Sequence, residues 1–118
     1  EIIVYNSANF KDLKGKTLTK VSVSDREISF ETNDGKKYVL THFTECCENV
    51  YIESVVGDVE DLVGNPIFIA EETSKYDNDE GEEWTFYKLA TIKGYVDIRW
   101  VGDVYTCYAI DVDFYEKI

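Results

Sequence analysis

The chain has 118 residues and a formal net charge of −12 at pH 7, from 24 Asp and Glu against 12 Lys and Arg. Its hydrophobic fraction of 44% is enough for a folded core, so the composition excludes a disordered chain and fits a single domain over residues 1–118. A chain this acidic is a poor partner for bare nucleic acid, whose phosphates bind Lys and Arg, and we expect no direct contact with nucleic acid.

A short helical turn is the first predicted element. Ser7 or Asn9 can cap it, and Phe10 and Leu13 fall on one of its faces. The alternation of apolar and polar residues that follows predicts a three-stranded meander over residues 17–43. An Asn-Asp-Gly turn, typical of hairpins, separates the second strand of this meander from the third.

The middle of the chain carries mixed signals. Residues 49–56 can form a strand or a short helix, and Asp58 can cap a short helix that Gly64 ends. Residues 67–70 predict a buried strand, and residues 73–82 predict a polar, acidic loop.

The last third of the chain returns to the period of two that is typical of strands. Three further strands are predicted within residues 84–114, separated by glycine-containing turns. We therefore expect an α+β fold that is mostly β: a single twisted antiparallel sheet of six or seven strands, meander-like, with one to three short helices. A small sandwich is the alternative architecture.

The negative charge is unevenly placed along the chain. Residues 1–37 hold seven basic and six acidic side chains, whereas residues 38–118 hold five basic and eighteen acidic ones. No Lys or Arg occurs between Lys37 and Lys75. Carboxylates without nearby cations either form a solvated surface that keeps the protein soluble or face a positive surface on a partner.

Carboxylates at alternate positions of a strand share one face and form a row of negative charge that resembles a phosphate backbone. This pattern predicts two partner-binding patches. The first comprises Glu71, Glu72, Asp77, Asp79, Glu80, Glu82 and Glu83. The second comprises Glu53, Asp58, Glu60 and Asp61.

The only His lies close to two of the three Cys. His42, Cys46 and Cys47 are weak candidates for metal ligands, because closed zinc sites need a second ligand pair and only Cys107 remains. A His and a Cys four residues apart would meet only on a helix, which the surrounding strand pattern disfavours. We predict that one of these Cys is a small buried hydrophobe and that His42 is a polar residue at a strand end, with no metal or other cofactor and no enzymatic activity.

Aromatic residues are numerous for so small a core, with nine Tyr and two Trp. Most of them are expected to be half-buried in the sheet, and an aromatic and acidic binding face is the alternative. The residues considered for such a face are Tyr95, Trp100, Tyr105, Tyr108 and Tyr115.

Two segments resemble a known family. The spacing CCE…GD…DL.G.P over residues 46–67 and the segment WTFYKLATIKG over residues 84–94 are similar to a domain of unknown function found in small acidic phage and prophage proteins. Residues 10–18 and 96–100 also fit this family. The resemblance implies a phage-type accessory protein and supplies no activity and no catalytic residue.

These observations predict a non-enzymatic, phage-type inhibitor of a host nucleic-acid-binding defence protein, such as a CRISPR effector nuclease or a restriction enzyme. Its acidic surface would mimic DNA and enter a basic nucleic-acid channel. The alternative is a small-ligand or metal-binding accessory module that uses His42, Cys46 and Cys47.

The expected location is the cytoplasm of a bacterial host. The apolar start of the chain is too short for a signal peptide and lacks its basic flank, and no apolar run reaches the roughly 18 residues of a membrane span. An odd number of Cys suits a reducing compartment. We therefore expect no membrane partner, and the sequence predicts no particular oligomeric state.

Overall fold

The fold consists of antiparallel strands in two sheets. The structure is a computed structural model that describes residues 4–77, 81–103 and 110–118, without the side chains of residues 76 and 77. The strands in these ranges are β1 (Tyr5–Ser7), β2 (Leu18–Val23), β3 (Glu27–Thr32), β4 (Lys37–Thr41), β5 (Val50–Val56), β6 (Ile69–Asp77), β7 (Glu82–Thr91), β8 (Gly94–Asp103) and β9 (Asp113–Lys117). One sheet has the order β1-β9-β4-β3-β2 and the other β5-β8-β7-β6.

The prediction of a single α+β sheet of six or seven strands was wrong, because the described residues form nine strands in sheets of five and four. The chain leaves the first sheet after β4 and returns to it only with β9, where Thr41 pairs with Asp113 and Lys37 with Lys117. Alternation within a strand indicates which residues face a core, but it does not indicate which strands are neighbours.

The two predicted helical turns are short 3₁₀-helices, Phe10–Leu13 and Val59–Leu62, and the described residues contain no α-helix. Their predicted caps are confirmed. The Asn9 side chain accepts a hydrogen bond from the N–H of Lys11, and the Asp58 side chain accepts one from the N–H of Glu60, each at 3.0 Å. Each turn is four residues long and is closed by i→i+3 backbone hydrogen bonds, such as those from Asp12 to Asn9 and from Asp61 to Asp58. This is the bonding pattern of a 3₁₀-helix.

The predicted meander is confirmed as β2, β3 and β4, with Gly35 at a φ of 84° in the turn between β3 and β4. Residues 49–56 form a strand, β5, rather than a helix. The acidic loop predicted over residues 73–82 was wrong in extent, because β6 continues to Asp77 and pairs with β7 from its first residue to its last. An edge strand pairs on one side only and tolerates polar residues, which hides it from an apolar pattern.

Both sheets contribute to one hydrophobic core. Phe30 and Trp100, from the first and second sheet, are buried in it. The Phe10 ring lies between the sheets, with its centroid 4.8 Å from that of Tyr87 and 5.4 Å from that of Phe114. Burying side chains of this size stabilises a fold by about 1.5–3 kcal/mol each. Because successive residues of a strand point to opposite faces, β6 and β7 present one set of side chains toward the core and another set on the outer surface. The two sets carry different charged and aromatic residues.

Candidate functional site

Four acidic residues line a groove between the core side of the β6–β7 hairpin and the segment that leads into β9. One of their carboxylates, that of Asp113, accepts a hydrogen bond from the Tyr115 hydroxyl at 3.2 Å. The register pairs Glu72 with Tyr87 and Ser74 with Thr85, so these side chains share the core side of the sheet beyond the packed core. The cavity between them has a volume of about 200 Å³. We call it the acidic groove, and it is lined by Glu72, Ser74, Glu83, Thr85, Asp111, Val112 and Asp113.

The acidic groove continues into a second cavity of about 410 Å³, which shares Glu72, Val112 and Asp113 with it. The far wall of this second cavity is formed by residues 7–11 and by Phe114. Lys11 is the one basic residue among those that line the two cavities, within the described residues. The two cavities adjoin each other, and acidic residues predominate among the charged residues that line them.

The carboxylates of the acidic groove influence one another. Partial burial and the charge of Asp111 raise the pKa of Glu83 above its usual value. Burial raises the pKa of Tyr87 most, and its hydrogen bond to Glu72 and the nearby carboxylates raise it further. Over the described ranges, no Lys or Arg nitrogen lies within 4.0 Å of the four groove carboxylates. A cation from outside would therefore find negative charge that no internal cation neutralises.

The structure splits the first predicted patch between two surfaces. Glu72 and Glu83 line the acidic groove, whereas Glu71 lies on the outer face beside Lys88. Glu82 lines a separate polar cavity near Gly102. Adjacent residues of a strand point to opposite faces, so a run of acidic residues does not form one surface. Asp79, Glu80 and the side chain of Asp77 lie outside the described residues.

The second predicted patch is partly engaged within the fold. Glu53 lies 3.4 Å from the guanidinium of Arg99, and Asp58 caps the second 3₁₀-helix. Asp61 packs against Gly94, where an added Cβ would approach its Oδ2 atom to 2.9 Å. Glu60 is exposed. These four residues therefore do not form an uninterrupted row of free carboxylates.

The side chains of His42 and Glu48 hold the connection between β4 and β5 in place. Glu48 accepts hydrogen bonds from the N–H groups of Glu45 and Cys46 at 2.9 and 3.0 Å, and its Oε2 lies 2.8 Å from His42 Nε2. These backbone N–H groups, Glu45 first, and His42 lower the pKa of Glu48 to about 2 despite its burial. The other ring nitrogen, Nδ1, lies 2.7 Å from the carbonyl oxygen of Asp111. We call this arrangement the His42–Glu48 clasp.

Engagement in the clasp removes His42 from the set of available ligands. Both of its ring nitrogens have hydrogen-bond partners, and its side chain is 6% exposed. Cys46 and Cys47 are exposed thiols, so neither of them is the small buried hydrophobe that the sequence predicted. Across the described part of the chain, no group of three or more His, Cys, Asp and Glu is placed to hold a metal ion. The third thiol, Cys107, lies outside the described residues.

The aromatic residues considered from the sequence have different environments. Trp100 is 1% exposed and belongs to the core, whereas Tyr95 is 54% exposed on the outer face of the second sheet. Tyr115 is half-buried and contacts Tyr5 and Phe43. Tyr105 and Tyr108 lie outside the described residues.

Sequence reasoning missed two of the four groove carboxylates, Asp111 and Asp113. Their signal is the spacing of two Asp at alternate positions just before and at the start of β9. Only the pairing of β9 with β4 places this segment opposite the β6–β7 hairpin.

Comparison with known proteins gives a family without an assigned activity. No curated protein and no solved structure matches the chain significantly. Within the described residues, no helix is long and apolar enough to cross a membrane. Residues 11–114 match the family model of a domain of unknown function, DUF7448. This match covers most of the chain, which therefore belongs to the DUF7448 family of domains of unknown function.

Proposed function

We propose that this chain is a non-enzymatic inhibitor that occupies the basic nucleic-acid channel of a bacterial defence protein, with the acidic groove as its main contact surface. The partner class is a CRISPR effector nuclease or a restriction enzyme, and the source is a phage or prophage. One observation carries the proposal: Glu72, Glu83, Asp111 and Asp113 line one groove, and no Lys or Arg nitrogen lies within 4.0 Å of their carboxylates in the described residues.

The energetics favour a cationic partner. Partial burial raises the pKa of Glu83 most, and repulsion by the charge of Asp111 raises it further, so the groove disfavours an ionised carboxylate that has no cation beside it. An Arg or Lys side chain entering the groove would relieve this repulsion and form charge-assisted hydrogen bonds. The net charge of −12 would also attract a basic channel over a distance comparable to the Debye length and raise the association rate.

The shape of the groove suits the side chains of a nucleic-acid channel. It is open to solvent and runs between an edge strand, β6, and an extended segment that carries Asp111 and Asp113 at alternate positions. A long Arg or Lys side chain can reach such a groove without any change in the backbone. A channel that binds phosphates presents these side chains in rows.

Binding rather than catalysis also agrees with the state of the residues that could carry acid–base chemistry. The only His uses both ring nitrogens in the His42–Glu48 clasp, and the Glu48 side chain is 0% exposed. These two groups stabilise a loop, and within the described residues neither lines the acidic groove or the cavity beside it.

The test is capture of a binding partner from a bacterial lysate by the tagged protein at about 50 mM and about 200 mM salt. The groove variant is Glu72→Gln with Asp113→Asn, and the charge-matched control is Glu31→Gln with Asp25→Asn on β3 and the β2–β3 turn. We expect a nucleic-acid-binding protein that the wild type and the control retain at low salt and the groove variant binds about tenfold more weakly. Equal binding by both variants, or a complex insensitive to salt, would contradict the proposal.

A further inference from the structure

The outer face of the second sheet has a chemistry opposite to that of the acidic groove. The register of β6, β7 and β8 places Lys75 beside Trp84, and Phe86 beside Arg99. Trp84 and Phe86 are successive outward positions of β7, and both residues line the same pocket. Lys75 on β6 and Arg99 on β8 flank them, which creates an aromatic floor between two cations.

These four side chains line an open, shallow pocket of about 200 Å³. The guanidinium carbon of Arg99 lies 5.6 Å from the centroid of the Trp84 ring and 5.9 Å from that of Phe86. These distances are within the range of cation–π attraction, which holds the guanidinium over the rings. A neighbouring cavity of about 310 Å³ shares Phe86 and Arg99 and is also lined by Lys88 and by the two carboxylates Glu71 and Asp97. The two cavities form one continuous depression, which we call the cation–aromatic pocket.

A second, independent observation about the cation–aromatic pocket is that several of the protein's basic residues line it. Only five basic residues follow Lys37, and Lys75, Lys88 and Arg99 lie in this one depression. Arg99 is paired with Glu53 at 3.4 Å. Within the described ranges, neither Lys75 nor Lys88 has a carboxylate oxygen within 4.0 Å. The Lys88 ammonium lies 5.6 Å from the centroid of the Tyr95 ring. In an acidic protein, a cluster of cations beside aromatic rings, with Lys75 lacking an ion-pair partner among the described residues, points to an anionic ligand.

We infer that the cation–aromatic pocket binds a planar ring that carries a phosphate, as in a nucleoside monophosphate. The ring would displace the Arg99 guanidinium from above the Trp84 and Phe86 rings and pack on them, since stacking on an aromatic side chain contributes about 1–3 kcal/mol per base. The phosphate would lie between the Lys75 ammonium and the Arg99 guanidinium, which can donate two parallel hydrogen bonds to it.

The surroundings of the pocket favour a short anion over a nucleic-acid strand. The register places Glu71 and Asp97 on either side of Lys88, and Glu53 lies beside Arg99. These carboxylates would repel the further phosphates of a long strand. The pocket is also separate from the acidic groove, because it lies on the opposite face of β6 and β7. The inference therefore does not depend on the proposed function.

The intrinsic fluorescence of the protein provides a direct measurement. Trp100 is buried, whereas Trp84 is half-buried and lines the pocket, so a bound ring would quench Trp84 selectively. The probes are 5′-AMP and 5′-GMP. Adenosine lacks the phosphate and inorganic phosphate lacks the ring. An octathymidylate and an acidic peptide with one Phe represent the two macromolecular classes of anion.

We expect saturable quenching by a nucleotide with a Kd below about 1 mM and at least tenfold weaker binding of adenosine and of phosphate. Lys75→Gln and Arg99→Gln should each weaken nucleotide binding by about tenfold, whereas the charge-matched Lys20→Gln on β2 should not. Calorimetric titration of Trp84→Leu should show lost binding with an unchanged unfolding midpoint. No saturable binding of either nucleotide, equal binding by Lys75→Gln and Lys20→Gln, or tighter binding of the octathymidylate or the peptide would overturn the inference.

Discussion

His42 Nδ1 lies 2.7 Å from the carbonyl oxygen of Asp111 and thereby connects the His42–Glu48 clasp to the acidic groove. The same ring reaches Glu48 through Nε2 at 2.8 Å, so one side chain joins the β4–β5 connection to the segment that leads into β9. Asp111 contributes its carbonyl oxygen to the clasp and lines the acidic groove. The position of the groove carboxylates therefore depends on a contact with a loop far away in the sequence.

Replacement of His42 should disturb both the fold and the groove. His42→Ala removes two hydrogen bonds and leaves a buried carboxylate without one of its donors, so we expect the free energy of unfolding to fall by about 2 kcal/mol in urea titrations. His42→Gln, which retains one donor, should lose less. A free energy of unfolding for His42→Ala within about 0.5 kcal/mol of the wild type would show that the clasp is not structural.

Acid should destabilise the protein through Glu48. The pKa of this carboxyl is lowered from 4.5 to about 2 in the folded state, so folding favours its ionised form. The resulting stability is present above pH 4.5 and is lost as the pH falls from 4.5 toward 2. Glu48→Gln should be less stable than the wild type near neutral pH, and its melting temperature should fall less over this window. Parallel pH profiles for the two proteins would contradict this assignment.

The contribution of Glu83 to the pH dependence of stability should have the opposite sign to that of Glu48. Burial and Asp111 raise its pKa, so the folded state disfavours the ionised carboxylate, and the resulting destabilisation is present above the folded pKa. Glu83→Gln should therefore raise the melting temperature near neutral pH, and the gain should vanish below pH 4.5, where the wild-type carboxyl is protonated in both states. Glu31→Gln on β3 is the control and should give no comparable gain. A loss of stability in Glu83→Gln at neutral pH would contradict the crowded groove.

Gly57, at the end of β5, is required by its surroundings. Its φ is 104°, and a Cβ there would overlap the backbone carbonyl of Tyr95 on β8. Gly57→Ala should cost about 3 kcal/mol or more of unfolding free energy. Gly35→Ala provides the control, because it has a φ of 84° with no atom within 4 Å of the added Cβ, and should cost about 1 kcal/mol. Equal costs for the two variants would show that β5 can move away from β8.

The sequence predicted the local structure better than the arrangement of strands. Caps at Asn9 and Asp58 follow from residue type within a few positions, and both are present. The division into two sheets depends on pairs such as Thr41 with Asp113, whose separation along the chain leaves no local signal. A strand that turns to polar residues, as β6 does after Ala70, was therefore predicted as a loop.

The same limit applied to the candidate sites. Glu72 and Glu83 were predicted among acidic residues that the fold then separates, because one residue of offset along a strand changes the face. Lys75 and Arg99 are far apart in the sequence, and only the register of three strands places them around Trp84 and Phe86. Residue type indicated which chemical groups the chain carries, and the pairing of the strands determined which of these groups lie close together.

Competition with nucleic acid tests the central claim most directly. The captured partner would be titrated with double-stranded DNA in the presence of the wild type, the groove variant Glu72→Gln with Asp113→Asn, or the control Glu31→Gln with Asp25→Asn. We predict that the wild type and the control raise the DNA concentration needed for half-saturation in proportion to their own concentration, whereas the groove variant does so about tenfold less effectively. A partner that binds DNA and this protein at the same time, with no change in either affinity, would contradict the account.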